Sequence, residues 1–177
     1  IIHLDGKELS LFEFALNCGY KRIAKELIQI DGFDFNKFGH NPLVAAVSSG
    51  YMDIAIELLN LGANPNCSQK PYGSLLRLCL EKGYFDFADL LLNKGAEIDI
   101  RDENGSTLLI WASRAGLDKA VDFLLEHGAS INVCDRDEKS AIVAAYESNK
   151  PSIIKKLVDG GALLTEKFAH KALSSCY

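Results

Sequence analysis

Apolar residues in the segment LDKAVDFLLEH, residues 117–127, recur at the spacing of one helix face. A helix that packs on one side carries its apolar residues three or four positions apart. The preceding segment LLIWASRA, residues 108–115, predicts a shorter helix, which Thr107 can cap and Gly116 can end. Gly128 then stops the longer helix. The apolar positions of the longer helix are Ala120, Val121, Leu124 and Leu125.

The sequence pattern that predicts this pair of helices recurs several times along the chain. The Gly-Ala pair that ends the longer helix begins at Gly62, Gly95, Gly128 and Gly161, which are equally spaced in the sequence. A regular interval of this kind is typical of repeat proteins, in which each helix pair buries its apolar face against its neighbours. Other positions keep the same interval. The residue between the helices is Gly50, Gly83, Gly116 and then Asn149; the helix cap is Asn41, Ser74, Thr107 and Ser140; and one small residue of the shorter helix is Ala15, Ala46, Cys79, Ala112 and Ala145.

The repeats predict a single domain over residues 1–177. The first repeat is irregular, because the interval from Ala15 to Ala46 is shorter than the interval between later repeats and the repeat contains the loop IDGFDFNKF. An atypical repeat is expected at the end of such an array, where one face meets water. After Ala162, the segment LLTEKFAHKALSSCY predicts one more helix, either a C-terminal cap or the first half of a further repeat. The predicted repeats are 5–38, 39–68, 69–101, 102–134, 135–165 and 166–177.

Two segments carry a family resemblance, GHNPLVAAVSSGYMDIAIELLNLGANPN and NGSTLLIWASRAGLDKAVDFLLEHGASIN. In their turn residues, paired alanines, inter-helix glycine and terminal Gly-Ala they resemble ankyrin repeats, over about residues 5–165. The resemblance implies an all-α repeat fold, an ankyrin-type solenoid of helix-turn-helix units joined by β-hairpin-like loops. One departure is that the histidine of the family motif is absent, which favours more apolar contacts between repeats. Its position holds Val44, Arg77, Ile110 and Val143.

The resemblance also implies where a partner protein binds. Ankyrin-like stacks generally bind other proteins through a concave face, formed by the hairpin tips and the exposed side of the shorter helices. Phe38, Tyr72 and Arg114 are the expected anchors, because aromatic residues and arginine dominate interface energetics. We expect Trp111 to pack between repeats instead. The candidate contact residues are Lys37, Phe38, His40, Ser48, Ser49, Lys70, Pro71, Tyr72, Glu81, Lys82, Glu103, Asn104, Ser106, Arg114, Arg136, Asp137, Lys139 and Glu147.

Charge and composition narrow the class of partner. The net charge of −5 and the pI of about 5.4 argue against a nucleic-acid partner. No apolar run approaches the length of a bilayer span, so we expect no membrane insertion. The five cysteines are odd in number and widely spaced, which is typical of a reduced, cytoplasmic protein. We expect a monomer.

The sequence does not indicate catalytic chemistry. The four histidines show no paired ligand spacing, and the glycines lie at the repeat positions, where none forms a phosphate-binding loop. We therefore expect no enzyme activity, no metal and no cofactor. Cys79 occupies the small position of its helix and reads as a packing residue, whereas Cys67 and Cys134 lie on loops and are better placed to react.

Three functions stay open from the sequence. The first is a protein-interaction module, and the second is the targeting part of a larger protein whose enzymatic domain lies elsewhere. A bacterial effector acting in the host cytosol is one form of the second, and the start without methionine leads us to expect a fragment of a longer chain. The third is a self-associating structural element. Asn66 and Asn132, which end their loops, are either structural or modified by hydroxylation, as in some ankyrin-like proteins.

Overall fold

The computed structural model describes residues 2–4, 7–9, 11–30, 41–69 and 73–163. The chain divides into two compact units, Ile1–Ala96 and Glu97–Tyr177, named here the N-terminal and the C-terminal unit. The single-domain organisation and the repeat boundaries stay predictions.

Among its described residues, the N-terminal unit contains three helix pairs. The pairs are α1 (Leu11–Asn17) with α2 (Lys21–Ile28), α3 (Pro42–Ser48) with α4 (Met52–Asn60), and α5 (Leu75–Lys82) with α6 (Phe85–Asn93). The shorter helices pack in the order α1, α3, α5, and α2 packs on α4. Two antiparallel hairpins are β1 (Ile2–Leu4) with β2 (Lys7–Leu9), in the register Ile2↔Leu9, and β3 (Ser68–Gln69) with β4 (Gly73–Ser74), in the register Ser68↔Ser74.

The described part of the C-terminal unit, residues 97–163, contains two helix pairs. They are α7 (Leu108–Ala115) with α8 (Asp118–Glu126), and α9 (Ala141–Glu147) with α10 (Pro151–Asp159). The shorter helices α7 and α9 pack against each other, and the longer helices α8 and α10 do the same. Each pair therefore forms one layer, with the core between the layers. Cys134 and Ser140 form an isolated antiparallel bridge where the loop enters α9.

The predicted helix caps are confirmed for three of the four shorter helices. Asn41 Oδ1 accepts hydrogen bonds from the N–H groups of the first turn of α3. Ser74 Oγ and Thr107 Oγ1 each accept one from the residue three positions on, at 3.2 and 3.4 Å. The prediction is wrong for Ser140, whose backbone has the extended conformation of a cap but whose hydroxyl makes no capping bond. The rotation of that side chain decides the bond, and the spacing in the sequence does not fix it.

The turn between the two helices of a pair requires one left-handed residue. Gly116, at φ +80°, ends α7 in this conformation. Asn149 takes the same role after α9 at φ +54°, and asparagine is one of the few non-glycine residues that tolerate it. The sequence prediction that Asn149 replaces a glycine here is confirmed.

The small position of the shorter helix is buried in all five described helix pairs. Ala46, Cys79, Ala112 and Ala145 have no exposed surface, and Ala15 has almost none. The carbonyl at this position accepts the N–H of the residue that follows the left-handed turn, as Ala112 O does from Leu117 at 3.0 Å. Because the position is already buried, a larger side chain has little room there.

One buried position of α7 holds a polar residue without a partner. Ser113 is fully buried, and its hydroxyl has no hydrogen-bond partner within the described part of the chain. The equivalent residues one and two repeats earlier are the buried Leu80 and Val47. An unsatisfied hydroxyl in the core destabilises the folded state.

We expect Ser113→Ala to raise the free energy of unfolding by about 1 kcal/mol, because it removes a buried group that has lost its hydration. Chemical denaturation monitored by circular dichroism measures the change. In the same helix, Thr107→Ala removes the cap and should lower the same quantity by about 1 kcal/mol. A lower unfolding midpoint for Ser113→Ala would mean that the hydroxyl has a stabilising partner.

Candidate protein-binding surface

The loop before α7 is shaped by one aspartate. Asp102 Oδ1 accepts hydrogen bonds from the N–H groups of Asn104 and Ser106, both at 2.9 Å. The Asp102 N–H in turn donates to the Ser106 carbonyl at 3.0 Å, which closes the loop. Glu103 and Asn104 are left exposed at the tip. The carboxylate thus fixes the shape of the loop from inside.

The loop before α9 repeats this arrangement. Asp135 Oδ1 accepts hydrogen bonds from the N–H groups of Asp137 and Lys139, at 3.0 and 2.9 Å. The Asp135 N–H donates to the Lys139 carbonyl at 3.0 Å. Glu138 lies at φ +59° where the preceding loop has a glycine. The hydrogen bonds to the aspartate therefore hold the loop shape even with a residue that disfavours it.

The two loops are joined to each other. The Arg136 N–H donates to the Asn104 carbonyl at 3.0 Å. Arg101 Nη1 donates to the carbonyls of Gly105 and Cys134, at 3.2 and 3.0 Å, and so bridges both loops. The exposed side chains at the two tips consequently keep a fixed spacing.

Two ion pairs link the loops to the shorter helices. Arg114 Nη2 of α7 contacts Asp135 Oδ2 at 3.3 Å; the aspartate side chain is almost fully buried, while that of the arginine is 49% exposed. Lys139 Nζ contacts Glu147 Oε2 of α9 at 2.8 Å. The hydrogen bond from Lys139 to Glu147 and the attraction between their charges raise the pKa of Lys139. The ion pair with Asp135 positions the Arg114 guanidinium, and part of that side chain stays exposed to solvent.

Seven of the predicted contact residues come together in the C-terminal unit. They lie on the two loop tips and on the ends of α7 and α9, and most are exposed. Trp111, one helical turn before Arg114 on α7, is half-buried, and its packing between repeats stays a prediction. We name these residues the tip surface: Glu103, Asn104, Arg114, Arg136, Asp137, Lys139 and Glu147.

The prediction that Ser106 belongs to this surface is wrong. Ser106 is only 4% exposed, because the hydrogen bonds with Asp102 turn the last residue of the loop inward. In the N-terminal unit, Ser49, Glu81 and Lys82 are exposed as predicted, whereas Ser48 is half-buried and its hydroxyl donates to the Ala45 carbonyl at 3.0 Å. The remaining predicted residues lie outside the described part of the chain. They are Lys37, Phe38, His40, Lys70, Pro71 and Tyr72.

The longer helices carry ion pairs between layers. Lys156 Nζ of α10 lies 3.1 Å from Asp118 Oδ1 and 2.8 Å from Asp122 Oδ2, both on α8. The hydrogen bond from Lys156 lowers the pKa of the Asp118 carboxyl. In the N-terminal unit, Lys25 and Asp53 form a similar pair at 2.9 Å between α2 and α4. These charged groups serve the packing of the helices.

A set of side-chain hydrogen bonds joins consecutive repeats, and the sequence analysis anticipated only part of it. Asn66 Nδ2 donates to the Gly95 carbonyl at 3.0 Å, and Asn132 Nδ2 donates to the Gly161 carbonyl at 3.3 Å. Asp99, midway between them in the sequence, accepts a hydrogen bond from the Ser130 N–H at 3.0 Å. Each of the three side chains follows the longer helix of one repeat. Each forms a hydrogen bond with a residue just after the longer helix of the next repeat. The constant interval between repeats could have predicted Asp99 as a member of this set, because it lies midway between Asn66 and Asn132 in the sequence.

The four described cysteines differ in accessibility. Burial raises the pKa of both the Cys67 and the Cys79 thiols to about 12, whereas Cys18 and Cys134 are exposed. Thiolate is the reactive form, so a thiol with this pKa is inert near neutral pH. The prediction that Cys67 is better placed to react than Cys79 is wrong, because its loop turns the side chain into the core.

We expect iodoacetamide to label Cys18 and Cys134 in the folded protein and to leave Cys67 and Cys79 unlabelled. Mass spectrometry of the labelled peptides measures the extent at each site, and labelling in denaturant supplies the reference. Cys134→Ser should remove one fast site without changing the slow ones. Labelling of Cys67 at the rate of Cys134 would contradict the burial of its thiol.

Two further observations bear on the class of protein. In the described ranges, no group of three or more His, Cys, Asp or Glu side chains is arranged to hold a metal ion. No described helix has both the length and the apolar character needed to cross a membrane.

Comparison with known proteins identifies the repeat. A family model described as ankyrin repeats, in three copies, matches residues 75–167, and a single ankyrin-repeat model matches residues 38–70. No curated protein matches the chain significantly. The predicted fold class, an all-α ankyrin-type solenoid, is confirmed by these matches and by the helix pairs. Ankyrin repeats generally act in protein–protein interaction and are typically non-catalytic. This chain therefore belongs to the ankyrin-repeat family.

Proposed function

We propose that the chain is a non-catalytic protein-interaction module that binds a partner protein through the tip surface. The observation that carries the proposal is the framework beneath these residues, in which Asp102, Asp135 and Arg101 hold both loops through backbone hydrogen bonds. A surface that is fixed before binding loses little conformational entropy when the partner docks. The exposed side chains are then available for recognition.

The charges of the tip surface favour a protein partner. Cationic and acidic groups alternate over it, and the partly exposed Arg114 lies one turn from the half-buried Trp111. Arginine and aromatic residues are the side chains most often found at the energetic centre of protein interfaces. A mixed surface of this kind suits a folded protein better than a polyanion. The cationic groups are Arg114, Arg136 and Lys139, and the acidic groups are Glu103, Asp137 and Glu147.

Phe38 and Tyr72 are proposed as further anchors on the same grounds, from the sequence alone. We also propose a monomeric state and a reducing compartment, the cytoplasm or, for a bacterial effector, the cytosol of its host. The odd number and wide spacing of the five cysteines support the compartment. The same binding role holds whether the chain acts alone or targets a larger protein to its partner.

Capture of binding proteins from a cell lysate tests the proposal. The immobilised wild type is compared with the triple variant Arg114→Ala, Arg136→Ala and Asp137→Ala, and with a control triple on the longer helices, Lys119→Ala, Glu126→Ala and Asp159→Ala. All six positions are exposed, so the two triples are matched in accessibility. Proteins retained by the wild type are identified by mass spectrometry, and their affinity is then measured.

The tip triple is expected to weaken binding about tenfold or more, since interface hot spots cost over ~1 kcal/mol each on truncation. The control triple should bind like the wild type. Denaturation of both triples checks that the fold is retained. Loss of binding in the control triple alone would place the site on the longer helices and overturn the proposal.

A further inference from the structure

The N-terminal unit carries a tyrosine at the same position of each helix pair. Tyr20, Tyr51 and Tyr84 directly precede the longer helices α2, α4 and α6, and their backbones share one conformation, with φ between −80° and −87° and ψ between 62° and 70°. The same position holds Leu117 and Lys150 in the C-terminal unit. We name Tyr20, Tyr51 and Tyr84 the tyrosine row.

The row is continuous from one repeat to the next. The Tyr51 hydroxyl lies over Gly19 of the preceding repeat, 3.9 Å from the point where a β-carbon would stand. The Tyr84 hydroxyl lies over Gly50 in the same way, at 3.8 Å. Each tyrosine therefore leans across the turn between the two helices of its neighbour, where a glycine leaves space.

The tyrosine side chains are accessible to a ligand. Tyr20 is 53% exposed, and Tyr51 and Tyr84 are half-buried. None of the three hydroxyls forms a hydrogen bond with a residue in the described part of the chain. Lys21 Nζ lies 4.9 Å from the centre of the Tyr51 ring, a cation–π contact that occupies one face of that ring. The row thus offers aromatic surface together with free hydrogen-bond donors.

The spacing of the row selects the conformation of a ligand. Packed helices lie about 8–10 Å apart, so tyrosines on successive layers repeat at that distance. A polyproline II helix has about three residues per turn and rises about 3.1 Å per residue, so it repeats every ~9 Å. Side chains on one face of an extended strand repeat every ~7 Å, and an α-helix repeats every ~5.4 Å. Of these three conformations, polyproline II is the one that matches the row.

The chemistry of the row fits the same conformation. A polyproline II segment has no internal hydrogen bonds, so its carbonyl groups remain free to accept them. Its proline rings pack in grooves lined by aromatic side chains. The three unbonded hydroxyls are donors for such carbonyls, and the rings between them supply the aromatic lining.

The charge beside the row differs between its two ends. Lys21 directly follows Tyr20 and is exposed, and no carboxylate in the described ranges forms an ion pair with it. At the other end of the row, the exposed Lys82 and Asp86 offset each other. A ligand with an acidic residue next to Tyr20 is therefore complementary to this surface.

We propose that the tyrosine row binds a proline-rich segment of a partner protein in the polyproline II conformation, with an acidic residue of that segment near Lys21. Two intervals of the row correspond to about six residues of such a segment, so about nine residues cover all three rings. The tip surface lies in the other unit, and binding at the two surfaces can be measured separately.

Fluorescence anisotropy with labelled synthetic peptides tests the proposal. One peptide is a run of about nine prolines, a second carries glutamates at both ends of that run, and a glycine–serine peptide of the same length is the control. The wild type should bind both proline peptides saturably and the glycine–serine peptide about tenfold more weakly or less. Lys21→Ala should weaken binding of the glutamate-flanked peptide about threefold relative to the unflanked run.

Variants of the row separate the contribution of the rings from that of the hydroxyls. Tyr20→Ala removes the most exposed ring, whereas Tyr51→Phe with Tyr84→Phe removes two hydroxyls and keeps the half-buried rings in place. Each variant should weaken binding of the proline peptides about fivefold or more. Tyr146→Phe in the C-terminal unit is the matched control, and it should bind like the wild type, as should the tip triple.

Several results would overturn the proposal. They are equal affinity of the wild type for the proline and glycine–serine peptides, no binding of either proline peptide, or wild-type affinity in both tyrosine variants. Loss of binding in the tip triple would place the peptide on the tip surface instead. Light scattering adds a further check, because self-association that Tyr20→Ala abolishes would mean that a second copy of the chain occupies the row.

Discussion

Replacing Ala112 with leucine is expected to lower the free energy of unfolding by about 1–3 kcal/mol, the usual cost of overpacking a core. Ala112 is fully buried on α7, which packs against both α8 and α9. The equivalent residue of α9, Ala145, is also fully buried. The added methylene groups must therefore displace a neighbouring helix or force strained side-chain rotamers.

Chemical denaturation monitored by circular dichroism measures this loss. Ala115→Leu is the matched control, because Ala115 is exposed near the end of the same helix. It should change the free energy of unfolding by no more than about 0.5 kcal/mol. If the two leucine variants unfolded at the same denaturant concentration, Ala112 would not lie at a close contact between helices.

Replacing Asn132 with alanine is expected to lower the free energy of unfolding by about 1–2 kcal/mol, because it removes two hydrogen bonds that each contribute on the order of 0.5–1.5 kcal/mol net. The side chain donates to the Gly161 carbonyl at 3.3 Å and accepts from the Leu163 N–H at 2.8 Å. The loss should be concentrated at the end of the C-terminal unit, where both partners lie.

The variant Asn132→Asp distinguishes the contributions of the two hydrogen bonds to the free energy of unfolding. The aspartate keeps an acceptor for the Leu163 N–H but has no donor for the Gly161 carbonyl, so about half of the loss is expected. Asp99 shows that a carboxylate functions at this repeat position when its partner, Ser130, offers donors. Thermal or chemical denaturation of the three proteins gives the comparison. Equal stability of wild type and Asn132→Ala would show that these bonds contribute nothing.

The two asparagines also bear on modification. The amide groups of Asn66 and Asn132 are both engaged with carbonyls of the following repeat, which is the structural role expected from the sequence. Hydroxylation is the alternative that the sequence left open for either residue. Mass spectrometry of the protein from its native cell tests it directly.

Features that recur in every repeat of the chain were predicted well. Glycine or asparagine at the left-handed turn and a small residue at the helix contact each answer a local backbone or packing requirement, as Asn149 and Ala112 illustrate. A requirement of this kind returns at the same position of each repeat. Such a requirement can therefore be predicted from a single sequence.

Features that depend on the path of a single side chain were not predictable. Ser106 and Cys67 occupy loops, where residues are usually exposed, yet both are buried because hydrogen bonds or packing turn them inward. The contact of Arg114 with Asp135 joins residues 21 positions apart in different repeats. The unsatisfied hydroxyl of Ser113 breaks the apolar pattern of its position. Each of these depends on three-dimensional neighbours that spacing does not specify.

The hydrogen bonds that shape the loops have a consequence for how this surface can change. Asp102 and Asp135 determine the loop backbone. The side chains of Arg136 and Asp137 are exposed, and these residues join the framework through their main chain, as in the bond from Arg136 N–H to the Asn104 carbonyl. Mutation can therefore alter specificity at the exposed positions without loss of the scaffold. A library randomised at these positions, with both aspartates retained, would explore new binding partners on an unchanged fold.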